Sequence, residues 1–164
     1  MIKWLAQAVF FVLFALGIGY FSTAPAYQHI GKNEALVRLS ISHAGQLLGD
    51  CRERSAEELS KLSRNMRAAQ DCPRERSPVT IEVDLDDKPL YREVVPPSGL
   101  SRDGASTVYR RFTTPAGEYR LTVRVNDSAK VQGFNYQRSE VVQLKPAQVL
   151  VIDFNRQQGG VIIK

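Results

Sequence analysis

The chain has 164 residues, 43% of them hydrophobic and 24% charged, with 22 Lys or Arg against 17 Asp or Glu and a formal net charge of +5. That length holds one compact domain with a real core but not comfortably two, and the interspersed acids describe a solvated, mixed-sign surface, the alternative being a basic surface that attracts anionic head groups or an acidic partner. Two cysteines are too few for a disulfide-dense scaffold, and their spacing matches no zinc or haem signature.

The N-terminal segment comes first in the chain and in importance. An uncharged run of 28 residues extends from Trp4 to Gly31, and Trp4–Phe21 is apolar except for Gln7. As a helix, residues 4–21 reach roughly 27 Å, close to the hydrocarbon thickness of a bilayer. Lys3 before the run, and Ala24-Pro25-Ala26 ahead of Tyr27, also fit a secretory signal cleaved after Ala26. The apolar stretch exceeds the usual length of a signal core, and Trp4, Tyr20 and Phe21 stand where interfacial aromatics anchor a spanning helix. The expectation is therefore an uncleaved anchor over residues 1–22 that contacts lipid through residues 4–21. Lys3 close to the helix start, with Lys32 the first charge beyond it, places the N-terminus in the cytoplasm and the remainder in the periplasm of a bacterial inner membrane. Nucleic acid is not an expected partner there.

Residues 23–33 carry Pro, Gly and small polar side chains without apolar period and read as a juxtamembrane linker. From Ala35 to His43 the pattern alternates, with Val37, Leu39, Ile41 and His43 on one face of a half-buried strand. Between the cysteines the period changes. Ser55 and Glu58 form an S-x-x-E capping box ahead of Leu59 and Leu62, so a short helix is expected near residues 55–67 within an insertion spanning 51–77.

Beyond Pro78 strand signals follow closely. Val79, Ile81, Val83 and Leu85 alternate with polar residues, and Asp86-Asp87 reads as a hairpin turn into a strand over Leu90–Val95. Pro96 to Gly99 and Asp103-Gly104 are turns. Ser106–Thr114 is rich in β-formers without clean alternation, whereas Tyr119, Leu121, Val123 and Val125 alternate clearly. Further strands are expected over Phe134–Leu144, Gln148–Phe154 and Val161–Ile163. Seven or eight short strands predict a mainly β chain, a β-sandwich over residues 34–164, with the helical insertion between its first two strands.

Thr114-Pro115-Ala116-Gly117-Glu118-Tyr119-Arg120-Leu121-Thr122-Val123 resembles the penultimate hairpin of transthyretin-like and immunoglobulin-like β-sandwich modules of bacterial envelope proteins. Leu144 to Phe154 is similar to the closing hairpin of such modules. The resemblance implies a non-catalytic adhesion, sensing or assembly role. The Cys…Trp…Cys core of antibody domains is absent, because the single tryptophan is Trp4.

No G-x-S-x-G, Walker or dinucleotide-binding motif occurs, and the histidines are only His29 and His43, so an enzyme is not expected. In an oxidising compartment Cys51 and Cys72 are expected to form one disulfide. Flanking them, Arg52, Arg54, Arg74 and Arg76 are candidate partner-binding residues, since guanidinium forks suit carboxylate and phosphate groups; their acidic neighbours offer internal pairing instead. Glu82, Asp84, Asp86 and Asp87 read as a solvent face running into a turn, with Ca²⁺ binding only if other loops supplied oxygens. The sequence thus predicts a cofactor-free binding or assembly module for an envelope or inner-membrane protein. The alternative is a periplasmic metal or redox accessory factor, holding copper through His43, Cys51, Met66 and Cys72.

Overall fold

A computed structural model of the chain describes residues 2–24 and 30–164. The small-residue motif ending at Ala26 and the centre of the linker lie outside the described residues.

Helix α1 spans Ile2–Thr23 and buries none of its side chains. Leu5 is 72% exposed and Phe10 64%, which separates α1 from the core helix of a globular domain. It is long and apolar enough to cross a membrane.

The strand-rich part begins with β1 (Glu34–His43). The insertion follows, with β2 (Arg52–Glu53), α2 (Ala56–Lys61), a 3-10 turn at Arg64–Met66 and β3 (Gln70–Asp71). Next come β4 (Val79–Leu85), β5 (Lys88–Val95), β6 (Ser106–Pro115), β7 (Gly117–Asn126), β8 (Tyr136–Leu144), β9 (Val149–Asn155) and β10 (Gly160–Ile163). One four-stranded sheet has the order β10-β9-β1-β6, the other β5-β4-β7-β8, and β2 pairs only with β3. The ladders are antiparallel except β1 with β9.

The alternation seen in the sequence is the packing of a sandwich. Val37, Leu39 and Ile41 of β1 and Ile152 of β9 meet Ile81 and Val83 of β4 and Leu121, Val123 and Val125 of β7 in one buried core. Full burial of one such side chain contributes about 1.5–3 kcal/mol. The poor alternation of β6 also has a cause. Arg110 sits opposite Leu39, in register with the inward residues, yet on this outer strand it leaves the core to reach Glu93 of β5 at 3.5 Å and the Tyr91 ring at 5.9 Å.

Asp86 and Asp87 have φ of 50° and 63°, the pair of left-handed residues a tight hairpin requires. Asp86 accepts the Arg120 N–H at 2.7 Å, which ties the turn to β7. The hairpin lets β5 begin at Lys88, two residues before the expected Leu90. Strand β8 starts at Tyr136 rather than Phe134.

The helix expected over 55–67 is shorter than its sequence signals. The capping box forms as expected, with Glu58 N–H donating to Ser55 Oγ at 3.3 Å and Ser55 N–H to Glu58 at 2.9 Å. Leu62, however, is extended with ψ of 147°, so α2 ends at Lys61. Leu59 and Leu62 are only half-buried, and an apolar face without a core to pack on does not sustain a helix.

Candidate functional site

The loops that follow β1, precede β4 and follow β7 gather at one end of the sandwich. The inward face of β1 finishes in His43, whose ring packs on Phe154 with centroids 4.5 Å apart. Its Nε2 donates to Asp127 Oδ2 at 2.8 Å. Asp127 is fully buried just past β7, and its Oδ1 accepts from Gln46 at 3.1 Å and from Asn135 at 2.5 Å. Burial pushes the Asp127 carboxyl up, but hydrogen bonds from His43, Asn135 and Gln46 outweigh it and hold the group below its usual range. The pair joins segments 84 residues apart, and the surrounding backbone completes the lock: Gln46 N–H donates to the Asp127 carbonyl and Ser77 N–H to the Gln46 carbonyl.

Gly45 is required by this crossing. A Cβ there would stand 2.1 Å from the Ser77 carbonyl oxygen. The chain then leaves for the insertion, which Cys51–Cys72 closes as a disulfide, leaving no free cysteine among the described residues. Closing such a loop contributes roughly 3 kcal/mol in the chain-entropy account.

The four candidate arginines do not converge into one open cluster. Arg52 pairs with Glu58 at 2.9 Å and Asp71 at 3.5 Å, and Arg54 with Asp71 at 2.8 Å, fastening the β2–β3 ladder to α2. Arg74 pairs with Asp103 at 2.5 Å. Arg76 is half-buried and donates to the Asp103 and Gly45 carbonyls at 2.9 and 3.0 Å, joining the insertion's far end to the loop between β5 and β6. These are internal bonds first, although Arg52 and Arg74 remain 61% and 79% exposed.

The soft-ligand set is not assembled. Both thiols are consumed in the disulfide, His43 is committed to Asp127, and Met66 is 60% exposed in the 3-10 turn. Among the described residues no three His, Cys, Asp or Glu side chains gather to hold a metal. The acidic stretch of β4 also has internal partners. Arg124 of β7 bonds Glu82 at 2.8 Å and also Asp84, Arg92 of β5 reaches Asp84 at 3.5 Å, and Phe134 lies against the Arg124 guanidinium at 5.5 Å.

Asp127, Gln46 and Asn135 were not singled out by sequence reasoning. The one signal was His43 itself: a polar residue closing an otherwise apolar inward face needs a buried partner. Compared with protein-family models, curated proteins and solved structures, the chain matches none.

Proposed function

We propose that the protein is a membrane-anchored, non-catalytic binding or assembly module, whose sandwich holds out the stapled insertion to another envelope or inner-membrane protein. One observation carries this reading. From Asp50 to Arg76 no residue is buried, yet the segment is ordered by a disulfide, a capping box and the Arg52–Asp71–Arg54 pairs. A loop fastened without contributing a core is fastened for presentation. Arg52 and Arg74 keep open guanidinium edges for a partner's carboxylates, and Met66 adds an exposed apolar contact.

The anchor is α1, and the disulfide fits the oxidising periplasm, with the N-terminus cytoplasmic by the placement of Lys3 and Lys32. We favour a transthyretin-like over an immunoglobulin-like sandwich. The immunoglobulin order pairs the first two strands in one sheet, whereas β1 and β4 lie in opposite sheets here.

The test is purification of the full chain from gently solubilised membranes at native expression, beside a variant whose residues 51–72 are replaced by a Gly-Ser link. A stoichiometric membrane-protein partner retained by the wild type and lost by the variant, with unchanged β-sheet circular dichroism, supports the reading. A wild type that purifies alone, or a variant that keeps its partner, overturns it.

A further inference from the structure

The outward face of the sheet containing β1 places two arginines side by side. Arg38 of β1 stands directly opposite Arg111 of β6, with Val151 of β9 on its other flank. Like charges directly across a ladder repel. Arg38 is moreover half-buried, and its Nε is shielded from solvent without a hydrogen-bond partner. A buried guanidinium donor left unmet is costly and calls for an acceptor, which an anion supplies while also offsetting the paired positive charges.

Among the described residues no carboxylate pairs with Arg38. The acids in register on the same face are Glu34 and Asp153. Glu34 accepts from the Gly31 N–H at 3.2 Å, and Asp153 from the Phe154 N–H at 2.8 Å and from Lys164 at 3.3 Å. Residues 25–29, Pro-Ala-Tyr-Gln-His, contain no carboxylate. Arg111 has a partner of its own and enters the argument only through its charge.

We propose that Arg38, in the field of Arg111, is a binding site for a phosphate oxyanion, filled by the phosphodiester of an anionic phospholipid. A planar guanidinium suits the two oxygens of a phosphate group. Position favours the headgroup as the source. Arg38 lies four residues into β1, about 13 Å from its start. The linker over residues 24–33 spans at most about 35 Å. The site therefore stays within reach of the headgroup layer of whichever bilayer holds α1. The choice of source rests on the membrane-anchored reading but not on a protein partner.

The experiment uses the full chain in nanodiscs of phosphatidylcholine alone or with 30% phosphatidylglycerol, and inorganic phosphate titrated into the phosphatidylcholine discs at constant ionic strength. Thermal unfolding of the β-domain is followed for the wild type, Arg38→Met and Arg38→Lys. The wild type is expected to gain about 3 °C or more with phosphatidylglycerol, as binding to the folded state requires. Arg38→Met is expected to be at least as stable as the wild type in phosphatidylcholine and to gain nothing from either anion, and Arg38→Lys to recover part of the gain. Equal gains in the wild type and Arg38→Met, or no wild-type gain with either anion, overturn the site. A gain from inorganic phosphate alone, lost in Arg38→Met, upholds the phosphate site and overturns the headgroup as its source. A chain that does not remain with the discs refutes the anchor, a separate result.

Discussion

Replacing Asp127 by Ala removes the acceptor that His43, Gln46 and Asn135 share, leaving three donors at the end of the core without it. Breaking a buried charged network by deleting one member typically costs about 3–5 kcal/mol. For a domain of this size each kcal/mol moves the melting temperature by about 3–5 °C, so Asp127→Ala should unfold some 10–20 °C below the wild type. Asp127→Asn keeps one acceptor and isolates the charge. Because the folded-state carboxyl lies below its ordinary value of 3.8, its stabilisation is complete above that value and drains away as pH falls through the folded one. The wild type should therefore lose stability below about pH 4 by a component absent from Asp127→Asn. Thermal unfolding of the full chain in mild detergent at pH 7, 5, 4 and 3, followed by circular dichroism, measures both effects. A shift under about 3 °C for Asp127→Ala at pH 7, or the same acid dependence in Asp127→Asn as in the wild type, refutes the reasoning.

Gly45→Ala should lower stability by about 2–4 kcal/mol, because its Cβ meets the Ser77 carbonyl at 2.1 Å; a denaturation midpoint matching the wild type would show that the crossing yields. Breaking the disulfide with Cys51→Ser and Cys72→Ser should open the insertion to trypsin at Arg64 and Arg67 while the sandwich still melts cooperatively, since nothing from Asp50 to Arg76 is buried; loss of the whole β signal would contradict this. Arg124→Met should cost about 2–4 kcal/mol by leaving Asp84, whose side chain is 8% exposed, with only its 3.5 Å contact to Arg92, whereas Arg52→Ala, at an exposed pair, should leave stability nearly unchanged; urea denaturation giving equal losses would refute that ranking.

Strands with one buried face were legible from residue order alone, because alternation records which side meets the core: Leu121, Val123 and Val125 are all fully buried. The capping box of Ser55 and Glu58 was legible for a similar reason, both partners lying within one turn. Where the helix stops was not, since that depends on whether Leu59 and Leu62 find a core to pack into, and in the insertion they are only half-buried. The Asp127 cluster was hidden by distance. Asn126-Asp127-Ser128 reads locally as a turn, and only the sheet order brings it to His43. The arginines beside the cysteines were legible as a group but not as two, because Asp71 draws one pair and Asp103 engages the other.

The linker enters the domain through an interior strand. From Glu34 to His43, β1 is bonded along its whole length to β6, and its first half is also bonded to β9. A pull transmitted from a bilayer-held helix arrives at Glu34 and runs along the strand axis. The cross-strand bonds on both flanks then take the load together, in shear, instead of opening one after another as they would if an edge strand such as β5 were peeled away. Force entering at Glu34 is thereby shared across the centre of one sheet instead of being concentrated on a single edge bond.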